Sequence, residues 1–157
     1  MDTNNKLIEA AKKGHVDLVQ TLLVQADDIN AIDIIFNRTA LMWAARQGET
    51  AIVKILLALG ADINAADKYG VTALQASASF GHTVTVKTIL EYEANINAQD
   101  ARGWTALMMA VAHNHPDTVQ VLLENKARKD IQEENGLTAL IMAQKYNYSD
   151  MVELLKS

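Results

Sequence analysis

Four histidines, at positions 15, 82, 113 and 115, are the side chains of this 157-residue chain best suited to acid–base chemistry or metal ligation. The His113-Asn114-His115 triplet invites a metal reading, because two imidazoles this close in sequence can share an ion. A metal site needs three or four converging ligands, however, and the chain has no cysteine and no carboxylate cluster beside the triplet. His15, His82 and His115 instead share a setting, each following Gly14, Gly81 or Asn114, residue types that turn a chain at low cost. The triplet therefore reads as a turn, and no metal or cofactor is implied. Neither a Gly-x-Ser-x-Gly elbow nor a phosphate-cradling glycine loop occurs, so catalysis is not expected. Lys126, Arg128 and Lys129 form the only local basic group in a chain of net charge −5, which favours a solvated loop over nucleic-acid binding.

The elements that must position these side chains follow from one spacing. Thr-Ala-Leu occurs at Thr39, Thr72, Thr105 and Thr138, each copy 33 residues after the last. A fixed period of this length means a stack of small units, each completed by its neighbours. Two residues before each Thr stand Asn37, Gly70, Gly103 and Gly136; nine after stand Gly48, Gly81, Asn114 and Asn147. Gly and Asn enter left-handed backbone most readily, so both places read as tight turns. The Thr hydroxyl is placed to cap a first helix with a small apolar face, as in Leu41 and Ala44-Ala45. A second helix follows, marked by Val53, Val86, Val119 and Val152 and by pairs such as Leu56-Leu57 and Leu122-Leu123. Pro116 falls at the start of such a helix, where its missing N–H is not needed.

Gly-Ala-Asp-Ile-Asn-Ala-Ala-Asp-Lys-Tyr-Gly-Val-Thr-Ala-Leu, from Gly60 to Leu74, resembles the ankyrin repeat, and the likeness extends over nearly the whole chain in the style of bacterial stand-alone ankyrin repeat proteins. The resemblance implies an all-α ankyrin repeat solenoid of stacked β-hairpin/helix-turn-helix units, with five repeats and terminal caps. The expected division is one domain, 1–157, with repeats at about 1–33 (N-terminal cap), 34–66, 67–99, 100–132 and 133–157 (C-terminal cap). Gly14 and Gly48 lie 34 residues apart, so one extra residue is expected in the first hairpin between Asp33 and Asn37. The family's Thr-Pro-Leu-His is here Thr-Ala-Leu followed by Met42, Gln75, Met108 or Ile141, which predicts weaker cross-repeat hydrogen bonding. The turn glycine Gly60 is replaced by Ala26, Glu93 and Lys126, sites of strain if they remain left-handed. Lys129, standing where Ile63 and Ile96 are apolar, predicts an irregular hairpin before the last unit.

The resemblance further implies that function lies on the concave face, at the hairpin tips and the exposed end of each first helix. Those positions hold Phe36, Arg38, Arg46, Tyr69, Phe80, Arg102, Trp104, His113 and Tyr146, the candidate partner-binding residues. Aromatics are only 5% of the chain, yet of the eight Phe, Trp and Tyr residues only Trp43, Tyr92 and Tyr148 fall outside the tips and helix ends. Aromatic and arginine side chains are common interface anchors. Trp43, aligned with Ala76, Met109 and Met142, is expected in the core. The implied function is a protein–protein interaction module, a rigid adaptor or inhibitor that is monomeric when free and binds another protein. The alternatives are a self-associating homodimer and, more remotely, an enzyme or metal protein of unrecognised type. No signal-peptide-like or membrane-spanning run is present, so no membrane partner and a cytoplasmic location are expected.

Overall fold

A computed structural model of the chain describes residues 2–157. Among the described residues there are ten helices: α1 (Thr3–Lys12), α2 (Val16–Leu23), α3 (Ala40–Gln47), α4 (Thr50–Ala58), α5 (Ala73–Ser79), α6 (Thr83–Leu90), α7 (Ala106–Ala112), α8 (Pro116–Glu124), α9 (Ala139–Lys145) and α10 (Ser149–Lys156). Odd-numbered helices pack in sequence against one another, as do even-numbered ones, and each odd helix pairs with the even helix that follows it. The chain is thus an all-α solenoid of helix pairs.

Local chemistry starts each pair. The Thr39, Thr72, Thr105 and Thr138 hydroxyls accept the N–H of Met42, Gln75, Met108 and Ile141 at 3.2–3.3 Å, so every repeat threonine is a helix cap. Thr72 and Gln75 complete a reciprocal capping box. Inside the stack, Ala44, Ala45, Ala78, Ala110 and Ala143 are fully buried and let the first helices approach closely. Leu41, Ile52, Leu56, Leu74, Ile89, Leu107 and Leu122 fill the space between pairs. Gly48 and Gly81 adopt positive φ of 76° and 69°, and each meets an imidazole from the next pair. A Cβ on Gly81 would stand 2.5 Å from His115 Nδ1, so here close approach as well as backbone angle demands glycine.

The connections between pairs are tight turns rather than strand ladders; among the described residues one isolated bridge, Ala66 with Thr72, is formed. The extra residue of the first hairpin lies between Asp33 and Asn37. There the Asn37 N–H reaches back four residues to the Asp33 carbonyl, whereas Gly70 reaches back three, to Asp67. The hairpin before α9 is irregular as expected: Asp28, Asp62 and Asn95 each accept a turn bond from the residue three further on, and Arg128 does not.

One condition fails at one site, and one expectation is corrected. Glu93 and Lys126 hold positive φ of 61° and 66°, but Ala26 is not left-handed. After α4 and α8 the paired bonds Gly60 to Leu57 with Ala61 to Leu56, and Lys126 to Leu123 with Ala127 to Leu122, force the left-handed residue. Helix α2 ends instead on a Gln25 to Leu22 bond, so Ala26 has no such demand on it. Cross-repeat hydrogen bonding is also not weak. The Asn30, Asn64 and Asn97 side-chain oxygens accept the N–H of Asp62, Asn95 and Arg128 at 2.8–2.9 Å, making a ladder across successive units. Thr50 pairs with Thr85 and Thr83 with Thr118, both at 2.8 Å. Gln75 Nε2 donates to the carbonyls of Ala98 (3.0 Å) and Trp104 (2.8 Å), linking its helix to the next hairpin.

Candidate functional face

Each hairpin tip is built around a carboxylate turned inward. Asp33, Asp67, Asp100 and Glu133 each accept two backbone N–H groups of their own tip, at 2.6–3.0 Å. Successive tips are tied in register, the N–H of Lys68, Ala101 and Glu134 donating to the carbonyls of Phe36, Tyr69 and Arg102 at 2.9–3.0 Å. The side chains of the tips therefore stand on a fixed backbone. Burial pushes the Asp33 carboxyl up, but donors from Phe36, Trp43, Ile35 and Arg38 together outweigh it and hold its pKa below the ordinary value. Glu133 shows the same balance, burial opposed by N–H groups of Leu137 and Asn135, and its pKa is also lowered.

The candidate residues fall into local clusters rather than one continuous stripe. Phe36 is half-buried and meets Trp43 edge-to-face, ring centroids 6.1 Å apart. Arg38 lies over both rings, at 4.7 and 4.9 Å, and donates to Asp67 Oδ2 at 2.9 Å. Trp43 is buried, as expected, and its indole N–H donates to Asp33 Oδ2 at 2.8 Å. Lys12 also lies over the Trp43 ring, 4.7 Å from its centroid. Lys68 stands over Phe36 (4.9 Å) and Tyr69 (5.1 Å) and donates to the Ile35 carbonyl.

Arg46 and Phe80 form a second cluster, the guanidinium 4.3 Å above the ring, with Phe80 stacked on His82 at 6.2 Å. Among the described residues Arg46 has no carboxylate partner. Its pKa is lowered, first by burial and then by the nearby Arg38 charge, with Asp67 opposing. Arg102 covers half-buried Trp104 at 4.9 Å and reaches Asp100 only at 3.6 Å. His113 is exposed, stacks on His115 at 6.4 Å and bonds through Nδ1 to the Met109 carbonyl. Tyr146 is exposed and pairs with Tyr148 at the far end, centroids 5.7 Å apart. Tyr69 and Phe80 are the aromatic side chains of the central units most open to solvent, at 51% and 45%, and Ile35 at the preceding tip is also exposed.

Two of the four histidines act as turn posts: His82 Nε2 donates to the Arg46 carbonyl at 3.0 Å and His115 Nε2 to the Ser79 carbonyl at 3.1 Å. Among the described residues no three His, Cys, Asp or Glu side chains gather as for a metal ion. The basic group before α9 is partly neutralised, Arg128 being forked onto Asp130 at 2.6 and 3.1 Å. A groove between α2 and α4, lined by Gln20, Leu23, Val24, Ile55, Ala58 and Leu59, brings together no acid–base pair. Among the described residues no helix is long and apolar enough to cross a membrane.

Three features of this face were not singled out from sequence: the inward carboxylates, Lys12 in the first unit and the Asn ladder. Each had a signal. An acidic residue stands five places before Thr72, Thr105 and Thr138, and Asn30, Asn64 and Asn97 recur with the repeat. Family comparison adds one finding: a family model described as ankyrin repeats (3 copies) matches residues 7–100 and 85–157. No curated protein matches the chain.

Proposed function

Because the chain belongs to the ankyrin repeat family, whose repeats are generally protein–protein interaction modules and a non-catalytic scaffold, we propose that it is a rigid adaptor or inhibitor gripping a partner protein on its tip-and-first-helix face. The observation that carries this reading is the exposure of Tyr69 and Phe80 beside Lys68 and Arg46, on tips whose backbone is locked from unit to unit. Rigid aromatics bury large area at low entropic cost, and a preformed face loses little freedom on binding. Trp104 and Arg102 form a further such cluster at the next tip, whose Ala101 N–H is tied to the Tyr69 carbonyl.

Affinity capture from a lysate of the source organism tests this, comparing the native chain with Tyr69→Ala/Phe80→Ala/Trp104→Ala, both shown by circular dichroism to be folded. A protein retained by the native bait and lost with the variant is the expected result. Equal capture by both baits overturns the assignment of the face. In this reading the free chain is a monomer, and light scattering that returns twice the 17.2 kDa chain mass overturns that part.

A further inference from the structure

The chain carries a net charge of −5, yet its tip-and-first-helix face is cationic. The four hairpin carboxylates there are turned inward onto backbone N–H groups, and Asp67 is also paired with Arg38. Most exposed acids lie elsewhere, as Asp17, Asp117, Glu124, Asp150 and Glu153 on the even-numbered helices show; on the face itself Glu134 is exposed at the last tip and Glu9 is partly exposed on α1. Lys12, Arg46, Lys68 and Arg102 remain on the face, each held 4.3–5.1 Å from an aromatic ring. Among the described residues Arg46 and Lys68 have no carboxylate partner and Arg102 has only a long contact to Asp100, whereas Lys12 is paired with Glu9 at 3.5 Å. A cation stacked on a ring is partly dehydrated and fixed in place, so a carboxylate arriving beside it forms a charge-assisted bond without first ordering the donor.

We propose that this face takes an acidic, extended segment of a partner protein, with carboxylates meeting Arg46, Lys68 and Arg102 and apolar side chains lying against Tyr69, Phe80 and Trp104. The inference rests on reading the face as the interaction site and adds the chemistry of what binds there. Rings alternating with cations suit a segment that alternates acidic and apolar residues. A polyanion such as single-stranded nucleic acid shares the charge but is repelled by the acidic remainder of the molecule.

The test is fluorescence anisotropy with a labelled peptide of repeated Glu-Leu-Gly, set against a Lys-Leu-Gly peptide and an oligothymidylate, with the full chain as receptor. The Glu peptide is expected to bind more tightly than both and to weaken as salt rises. Arg46→Glu/Lys68→Glu is expected to weaken it by about tenfold or more, whereas Lys54→Glu/Lys87→Glu, the same charge change on exposed sites of α4 and α6, leaves it within about twofold. Circular dichroism confirms that both variants are folded. Tighter binding of the Lys peptide or the oligothymidylate, no binding of the Glu peptide, or equal losses in the two variants overturns the proposal. The capture experiment separates the failures. If Tyr69→Ala/Phe80→Ala/Trp104→Ala still abolishes capture, the face stands and only the acidic partner falls; if it does not, both fall.

Discussion

Glu93 and Lys126 hold the left-handed turn that Gly60 holds in an equivalent unit, with φ of 61°, 66° and 84°. An L-residue pays about 1–2 kcal/mol for that conformation. Replacing it with glycine removes the strain but adds about 0.4–1 kcal/mol of unfolded-chain entropy to be lost on folding. The two sites then separate by charge. Glu93 follows the C-terminus of α6, where a negative group opposes the helix dipole, while Lys126 follows that of α8, where a positive group favours it, by about 0.3–1 kcal/mol in each case. Neither side chain is in an ion pair among the described residues. Glu93→Gly should therefore gain about 1–1.5 kcal/mol, which for a chain of this size raises Tm by about 3–5 °C. Lys126→Gly should gain about 0.5 kcal/mol or less by the same sum. Gly60→Ala is the converse: a Cβ there meets nothing within 4 Å, so the net loss, about 0.5–1 kcal/mol, is backbone strain less the unfolded-chain entropy that alanine removes. Thermal scans and urea titrations of the three variants decide it. A fall in Tm for Glu93→Gly, or a larger gain for Lys126→Gly, refutes the reasoning.

Three further outcomes are expected. Gly81→Ala should destabilise by about 2 kcal/mol or more in urea titration, clearly beyond Gly60→Ala, because the new Cβ also displaces the His115 ring. Asn64→Ala should cost about 1 kcal/mol by removing one rung of the ladder to the Asn95 N–H, and an unchanged urea midpoint would show the rung to be replaced by water. The lowered carboxyl pKa values of Asp33 and Glu133 stabilise the fold above the ordinary carboxylate range, and that contribution disappears as pH falls through their lower folded values. Asp33→Asn should accordingly lose stability at neutral pH and converge on the native chain in acid; a difference that is constant with pH would place the loss elsewhere than in the charge.

Sequence revealed the periodic parts of this molecule because each has a local physical cause. Thr39, Thr72, Thr105 and Thr138 are caps wherever they occur, and Asn37 and Asn147 turn left-handed as their glycine counterparts do. The extra residue between Asp33 and Asn37 was legible because a repeat makes an insertion countable. Hydrogen bonds between units were less legible. Gln75 reads as a departure from the family pattern, and only placement beside the Ala98 and Trp104 carbonyls shows that it joins two units. That Asp67 and Asp100 fold their carboxylates under the tips is visible only in the structure. Ala26 was misplaced because aligning it with Gly60 ignores how α2 ends, and the end of the helix sets the backbone angle of the turn.

The face itself divides two arginines that sequence presents as equals. Arg38 and Arg46 are both half-buried, and both stack on aromatic rings. Arg38, however, is held by Asp67, whose side chain is only 1% exposed, and removing the guanidinium leaves that buried carboxylate oxygen without its cation. Its truncation should act first on stability. Arg46 has no such partner among the described residues, so its truncation strips charge from the surface with little to unpair beneath it. The two substitutions, compared in one urea titration and one binding assay, separate what holds the tips in register from what the tips present. That separation matters for the whole face, because a residue whose loss unfolds a tip will abolish binding without ever touching the partner.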